Sequence, residues 1–264
     1  MCYSGDLCAT NFSLLLDSIN NWSIKWQLPM SVNKCGWMLI SNRIYSRELN
    51  FNLAGHSLTK LSEVKDLGVL YTSELSFAPH ISSIISKAKQ RSFLIRKSFT
   101  SSSIDALVLA FKTYVLPILD YCSPVWSPYQ VSDILRIESV QRTFTRSMPC
   151  CKDLSYRDRL KICGLVTLER RRLIADLILF YKIIHRLIET DLTDSLTLST
   201  SAITRGHPFK LAYNGARINS RLHFFSLRTT KVWNTLPAAV VCAQSVDGFR
   251  KGILLADFSE FLML

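Results

Sequence analysis

The stretch ISSIISKAKQRSFLIRK at residues 81–97 decides how the chain is organised. Ile81, Ile84, Ile85 and Ala88 recur at helical spacing and share one stripe, while Lys87, Lys89, Arg91, Arg96 and Lys97 fill the remaining faces. This spacing predicts a helix of about five turns beginning after Pro79. Upstream the pattern is different. Residues 26–71 read as short strands broken by turn residues: WQLPM, SVNK, CGWMLI, IYSRELNFNL, a turn at Ala54-Gly55-His56, then VKDLGVLY. Lys34 reads as a turn residue, and Lys65, Asp66, Leu67 and Gly68 as a hairpin tip.

Downstream, helical spacing persists. A break at 98–103 leads into a second helix through Leu107, Val108, Phe111, Tyr114 and Val115, which must end near Pro117. Residues 119–128 hold two prolines and read as a structured loop. Ile134, Ile137, Val140 and Phe144 mark a third helix, with Arg142 and Arg146 one turn apart. SYRDRLKIC (155–163) is a short helix stopped by Gly164, and Thr167 with Glu169 opens a long, centrally buried one. The expected fold is α+β, a small antiparallel sheet followed by a mainly helical bundle. It divides into 1–80, 81–190, a Ser/Thr-rich linker at 191–206, and a basic, aromatic segment at 207–264 that docks through Phe224, Phe225 and Trp233.

With 48% hydrophobic residues in 264, the chain has ample material for a core, which excludes a disordered or fibrous protein. The eight cysteines show no Cys-x-x-Cys spacing and read as reduced, mostly buried thiols of an intracellular protein, nuclear or cytoplasmic. The start carries Asp6 and Asp17 and no cation ahead of its apolar stretch, so secretion is not expected. Charged residues interrupt the most apolar segments, 104–119 and 173–188, so no membrane span is expected.

The net charge of +12 is unevenly spread, with 0, +9 and +3 on residues 1–80, 81–190 and 191–264. Such a concentration is the footprint of a polyanion-binding surface, although solvated helix faces can carry the same excess. Arg157 with Arg159, and the run Arg170, Arg171, Arg172, are candidates for bidentate phosphate contacts. Three consecutive arginines span about 200° of a helix, so pairing of at least one with Glu169 or Asp176 is the competing reading. No two acidic residues are adjacent, and no metal site is expected. Cys150, Cys151, Cys163 and His185 fit no zinc spacing. Nucleophile-elbow, phosphate-loop and dinucleotide-binding glycine motifs do not occur.

Several strings, taken in order, resemble one family. They are WQLPMSVNKC (26–35), VKDLGV (64–69), LSF with His80, LDYCSPVW (119–126), ESVQR (138–142), YRDRL (156–160), LERRR (168–172), TRGH (204–207) and VWNTLP (232–237). Together they resemble the carboxy-terminal part of a non-LTR (LINE-type) retrotransposon reverse transcriptase, nearest to the jockey-like group. The resemblance implies that residues 1–80 are the end of a palm, with Lys34 as a vestigial general acid toward pyrophosphate. Lys65–Gly68 would be a primer-grip hairpin. Residues 81–190 would be a thumb holding an RNA or RNA/DNA duplex by its backbone, through Lys87, Lys89, Arg91, Arg96, Lys97, Arg142, Arg146, Arg157, Arg159 and Arg170–Arg172.

The complete family enzyme uses Mg²⁺ on a Tyr-x-Asp-Asp motif and an upstream aspartate. Neither motif occurs in this sequence, so no cofactor and no polymerase activity are expected of this chain alone. The expectation is a truncated reverse transcriptase-like protein with residual, sequence-nonspecific backbone binding. Two rivals stand beside it: part of a complete polymerase whose catalytic segment lies upstream and would be its partner, and a decayed transposon-derived protein with no selected activity.

Overall fold

The computed structural model describes residues 8–40, 49–99, 103–149, 151–191, 196–198, 206–213 and 215–264, which fall into two compact units, Met1–His80 and Ile81–Leu264. Residues 192–195 and 199–205 of the expected linker lie outside the described residues.

The first unit opens with a helix that strand-oriented reading missed, α1 (Cys8–Lys25), whose Lys25 sits favourably in its last turn. Phe12 and Leu16 of α1 pack on Trp37, Phe51, Leu53 and Leu58. The Phe51 ring meets Phe12 and Trp37 edge-on, at centroid distances of 4.8 and 4.9 Å. The WQLPM segment is a turn and irregular chain, and SVNK, expected as a strand, contains a 3₁₀ turn at Val32–Lys34. There the Lys34 and Cys35 N–H groups return to the Ser31 and Val32 carbonyls.

A single antiparallel sheet does not form. Strands β1 (Gly36–Trp37), β2 (Asn52–Leu53), β3 (His56–Ser57), β4 (Thr59–Lys60), β5 (Glu63–Asp66) and β6 (Val69–Thr72) pair as three separate ribbons, and β1 with β4 runs parallel. Four of the six strands are two residues long, too short to present a continuous ladder to further neighbours. Both hairpins close on primed turns, Ala54-Gly55 between β2 and β3 (φ +50° and +78°) and Leu67-Gly68 between β5 and β6 (φ +44° and +89°).

Helix α2 (Ala78–Ser98) runs from the end of the first unit into the second, with Ile81, Ile84, Ile85, Ala88 and Ile95 buried. The Ser103 hydroxyl caps α3 (Ile104–Tyr114) by accepting from the Ala106 N–H. The proline-containing loop expected next is largely helical. Helices α4 (Leu116–Asp120) and α5 (Ser123–Trp126) place Pro117 and Pro124 in first turns, where a missing N–H is tolerated. Helix α6 (Val131–Arg146) brings Phe144 onto Phe111 of α3, rings stacked at 4.4 Å.

Helix α7 (Tyr156–Ile162) is capped by Ser155 and followed by Gly164 at φ +55°. Helix α8 (Leu168–Ile184), capped by Thr167, forms the centre of the unit. Around it pack α10 (Phe225–Trp233), α11 (Ala238–Val241), α12 (Val246–Leu255) and Phe258, while α9 (Asn219–Leu222) precedes α10. Phe225 and Trp233 are buried there, whereas Phe224 is exposed. No helix among the described residues is long and apolar enough to cross a membrane.

Candidate nucleic-acid interface

Three of the strings that carry the family resemblance meet in one buried network. Glu138 of α6, fully buried, accepts from the Tyr156 hydroxyl, the Leu168 N–H (2.9 Å) and, at the distance limit, Gln141 Nε2 (3.5 Å). The Gln141 amide also donates to Tyr156 Oη (3.0 Å) and the Val166 carbonyl (2.9 Å). Arg142 and Arg159 lie over the Tyr156 ring, at 4.7 and 5.4 Å. Burial pushes the Glu138 carboxyl above its ordinary value although Tyr156, Leu168, Arg172 and Arg142 oppose it, and burial beside Glu138 pushes the Tyr156 hydroxyl up as well.

The LERRR string at the start of α8 is an assembly hub. Glu169 Oε2 accepts from the Met263 and Leu264 N–H groups (3.0 and 3.1 Å). Arg170 Nη2 donates to the Leu254 and Ala256 carbonyls (2.9 and 3.0 Å) and its guanidinium lies 5.8 Å from the Phe258 ring. Arg171 forks onto Asp120 of α4, with Nη2 to Oδ2 at 2.5 Å. Arg172 is buried in the field of Glu138, Glu169, Asp120 and Asp176, and burial lowers its pKa. One turn on, Asp176 holds Arg228 of α10 bidentately at 2.8 and 3.0 Å.

The predicted phosphate contacts therefore separate into two sets. Arg170, Arg171 and Arg172 face internal partners, as does Arg159, buried and bonded to Thr145 Oγ1 (3.3 Å) and the Leu154 carbonyl (2.8 Å). A charge reversal at Arg159, which sequence reads as a phosphate contact, would therefore strike the interior. Arg142 is half-buried; Arg146 and Arg157 are exposed. The α2 cations Lys87, Lys89, Arg91, Arg96 and Lys97 are all exposed, in a helix without a single carboxylate, and none is in an ion pair among the described residues. At about 100° per residue, Lys87 and Arg91 flank one edge of the buried stripe and Lys89 and Arg96 the other. Lys97, Phe93 and Leu94 occupy the outer face, where both apolar side chains are exposed. In the first unit, Lys34 and the tip residues Lys65, Asp66, Leu67 and Gly68 are exposed.

The residues present do not fit a magnesium pair. Among the described residues no three His, Cys, Asp or Glu side chains gather to hold a cation. The carboxylates that do cluster, Asp120, Glu138, Glu169 and Asp176, are engaged by arginines, a tyrosine or backbone N–H groups. Cys150 of the rejected zinc set lies outside the described residues, and His185 Nε2 contacts the Val241 carbonyl (3.0 Å), away from Cys151 and Cys163. Of the described free thiols, Cys151 and Cys163 are buried, but Cys35 and Cys122 are half-buried and Cys242 exposed, fewer buried than expected.

Half of this chain is similar to a jockey polymerase. It is 26% identical over 141 residues to the RNA-directed DNA polymerase from mobile element jockey of Drosophila funebris, a match covering 50% of this chain and 15% of that protein. The chain thus carries a jockey-like, reverse transcriptase-related region and spans a small part of the relative's length. No protein-family model and no solved structure matches it.

Proposed function

We propose that this chain is a thumb-side portion of a jockey-like reverse transcriptase and binds an RNA or RNA/DNA duplex through its phosphate backbone. The observation that carries the reading is α2: five exposed cations, no carboxylate in the helix, and no ion pair to occupy them among the described residues. Cations placed this way neutralise phosphates, releasing counterions, and carry no base-specific information. The exposed Phe93 and Leu94 between them add an apolar face suited to an unpaired base at a duplex end. Arg146, Arg157 and the half-buried Arg142 would extend the surface, whereas Arg159 and Arg170–Arg172 serve the fold.

The test is fluorescence anisotropy of the whole chain with an RNA/DNA hybrid over a salt series. Affinity should fall with salt by about 0.9 logarithmic unit per phosphate neutralised, and the triple change Lys87→Gln, Lys89→Gln, Arg91→Gln should flatten that slope by about 2.7. A wild-type slope near zero, or a triple variant with the wild-type slope, would sink the proposal.

A second reading deepens the first: the chain works as part of a longer polymerase whose catalytic carboxylates and Mg²⁺ belong to another segment, and does not polymerise by itself. It rests on the 15% coverage of the jockey protein and on the absence of a Tyr-x-Asp-Asp string from this sequence. In such an enzyme Lys34 would donate a proton to the leaving pyrophosphate and the Lys65–Gly68 tip would steady the primer end. Lys34→Ala in that longer protein should slow single-turnover incorporation without weakening duplex binding.

A further inference from the structure

Two cysteines and a methionine come close inside the second unit. Cys163 Sγ lies 3.5 Å from Met148 Sδ, and Cys151 is the neighbouring thiol that acts on Cys163. All three residues are buried. Backbone geometry brings them together: the Cys151 N–H returns to the Met148 carbonyl (3.3 Å) just after α6, and Cys163 caps the end of α7, its N–H on the Arg159 carbonyl (3.0 Å). We propose that Met148, Cys151 and Cys163 form a binding site for a soft, thiophilic monovalent cation of the Cu(I) class.

Two thiolates and a thioether are the donor set that favours Cu(I), while harder ions want oxygen or imidazole. Zinc in a structural site takes four ligands from cysteine, histidine or carboxylate, and no third such side chain joins this cluster among the described residues. With metal–sulfur bonds of about 2.3 Å, three sulfurs around one ion stand about 4 Å apart, so the observed 3.5 Å contact opens by only a few tenths of an ångström.

Binding releases one proton from each thiol and leaves a complex of net charge −1. The positively charged groups acting on Cys163 are the buried Arg159 guanidinium and Lys112, so the complex has a counter-charge in place. Because both thiols must lose their protons to bind, affinity should rise with pH. Apolar thiol packing alone would account for burial but not for a thioether sulfur set directly on the Cys163 thiol.

The test uses a background in which Cys2, Cys8, Cys35, Cys122, Cys150 and Cys242 are alanine, kept reduced and titrated with Cu(I) against a chromophoric chelator, then with Ag(I) as a redox-inert probe. The expected result is one ion per chain, with X-ray absorption showing sulfur neighbours only. Cys163→Ser should abolish binding, and Met148→Leu, which preserves volume, should weaken it severalfold while leaving the urea transition near that of the background. No binding, binding that survives Cys151→Ser with Cys163→Ser, or equal affinity in Met148→Leu would overturn the proposal. Should Cys163→Ser fail to fold, the Met148→Leu comparison decides.

Discussion

Replacing Arg228 with alanine should destabilise the second unit by about 3–5 kcal/mol, the range for breaking a buried ion pair from one side. The pair is well placed for the upper part of that range. Asp176 is 4% exposed at its side chain and Arg228 19%, the fork is bidentate, and Arg228 also donates to the Pro124 and His223 carbonyls (2.7 and 3.1 Å). Truncation strands a buried carboxylate with only the field of Arg172 to oppose burial. At about 2–4 °C per kcal/mol for a unit of this size, the melting temperature should drop by about 6–20 °C.

The pH dependence identifies the cause. Burial already holds Asp176 above its ordinary value, and losing Arg228 raises it further. A carboxyl whose folded pKa is raised favours the folded state below the unfolded value of about 4, and loses that contribution as pH rises through the folded value. The deficit of Arg228→Ala should therefore be smallest in acid and grow toward neutrality. Urea unfolding of both proteins across pH measures it. A loss under about 1 kcal/mol at neutral pH, or a deficit that grows on acidification, would refute the assignment of Arg228 to the core.

Arg159→Glu should destabilise by about 3–5 kcal/mol while the exposed Arg157→Glu stays within about 0.5 kcal/mol, both read from urea midpoints. Gly164→Ala meets no neighbour within 4 Å, so its expected loss of about 1–2 kcal/mol, seen as a lower melting temperature, is a backbone effect at φ +55°. Leu67→Asn, at an exposed position with φ +44°, should stabilise the β5–β6 hairpin by up to about 1 kcal/mol, visible as slower amide exchange along its ladder.

Helices were legible wherever an apolar stripe recurred over several turns, as in α2, α3 and α6, and Thr167 was legible as the opening of α8. The first unit was harder. Two-residue strands leave no period to read, and the Ser- and Asn-rich α1 is held by Phe12 and Leu16 packing on residues far along the chain. The arginines misled for a related reason. Their charge is visible in sequence, but their partners are not: Asp120 precedes Arg171 by 51 residues, and the Leu254 carbonyl follows Arg170 by 84. Arg228 and the Met148–Cys151–Cys163 cluster gave no local signal at all.

The hub at 168–172 also sets which kinds of genetic change the chain can absorb. Successive residues there point about 100° apart and each holds a different stretch: Leu168 the Glu138 carboxylate, Glu169 the backbone at 263–264, Arg170 the carbonyls of 254 and 256, Arg171 Asp120. A point change loosens one of these attachments. Inserting or deleting a single residue between Arg172 and Leu173 would rotate the whole string about 100° against the rest of α8 and turn all of them off their partners at once, so the helix here can vary in letters far more readily than in length.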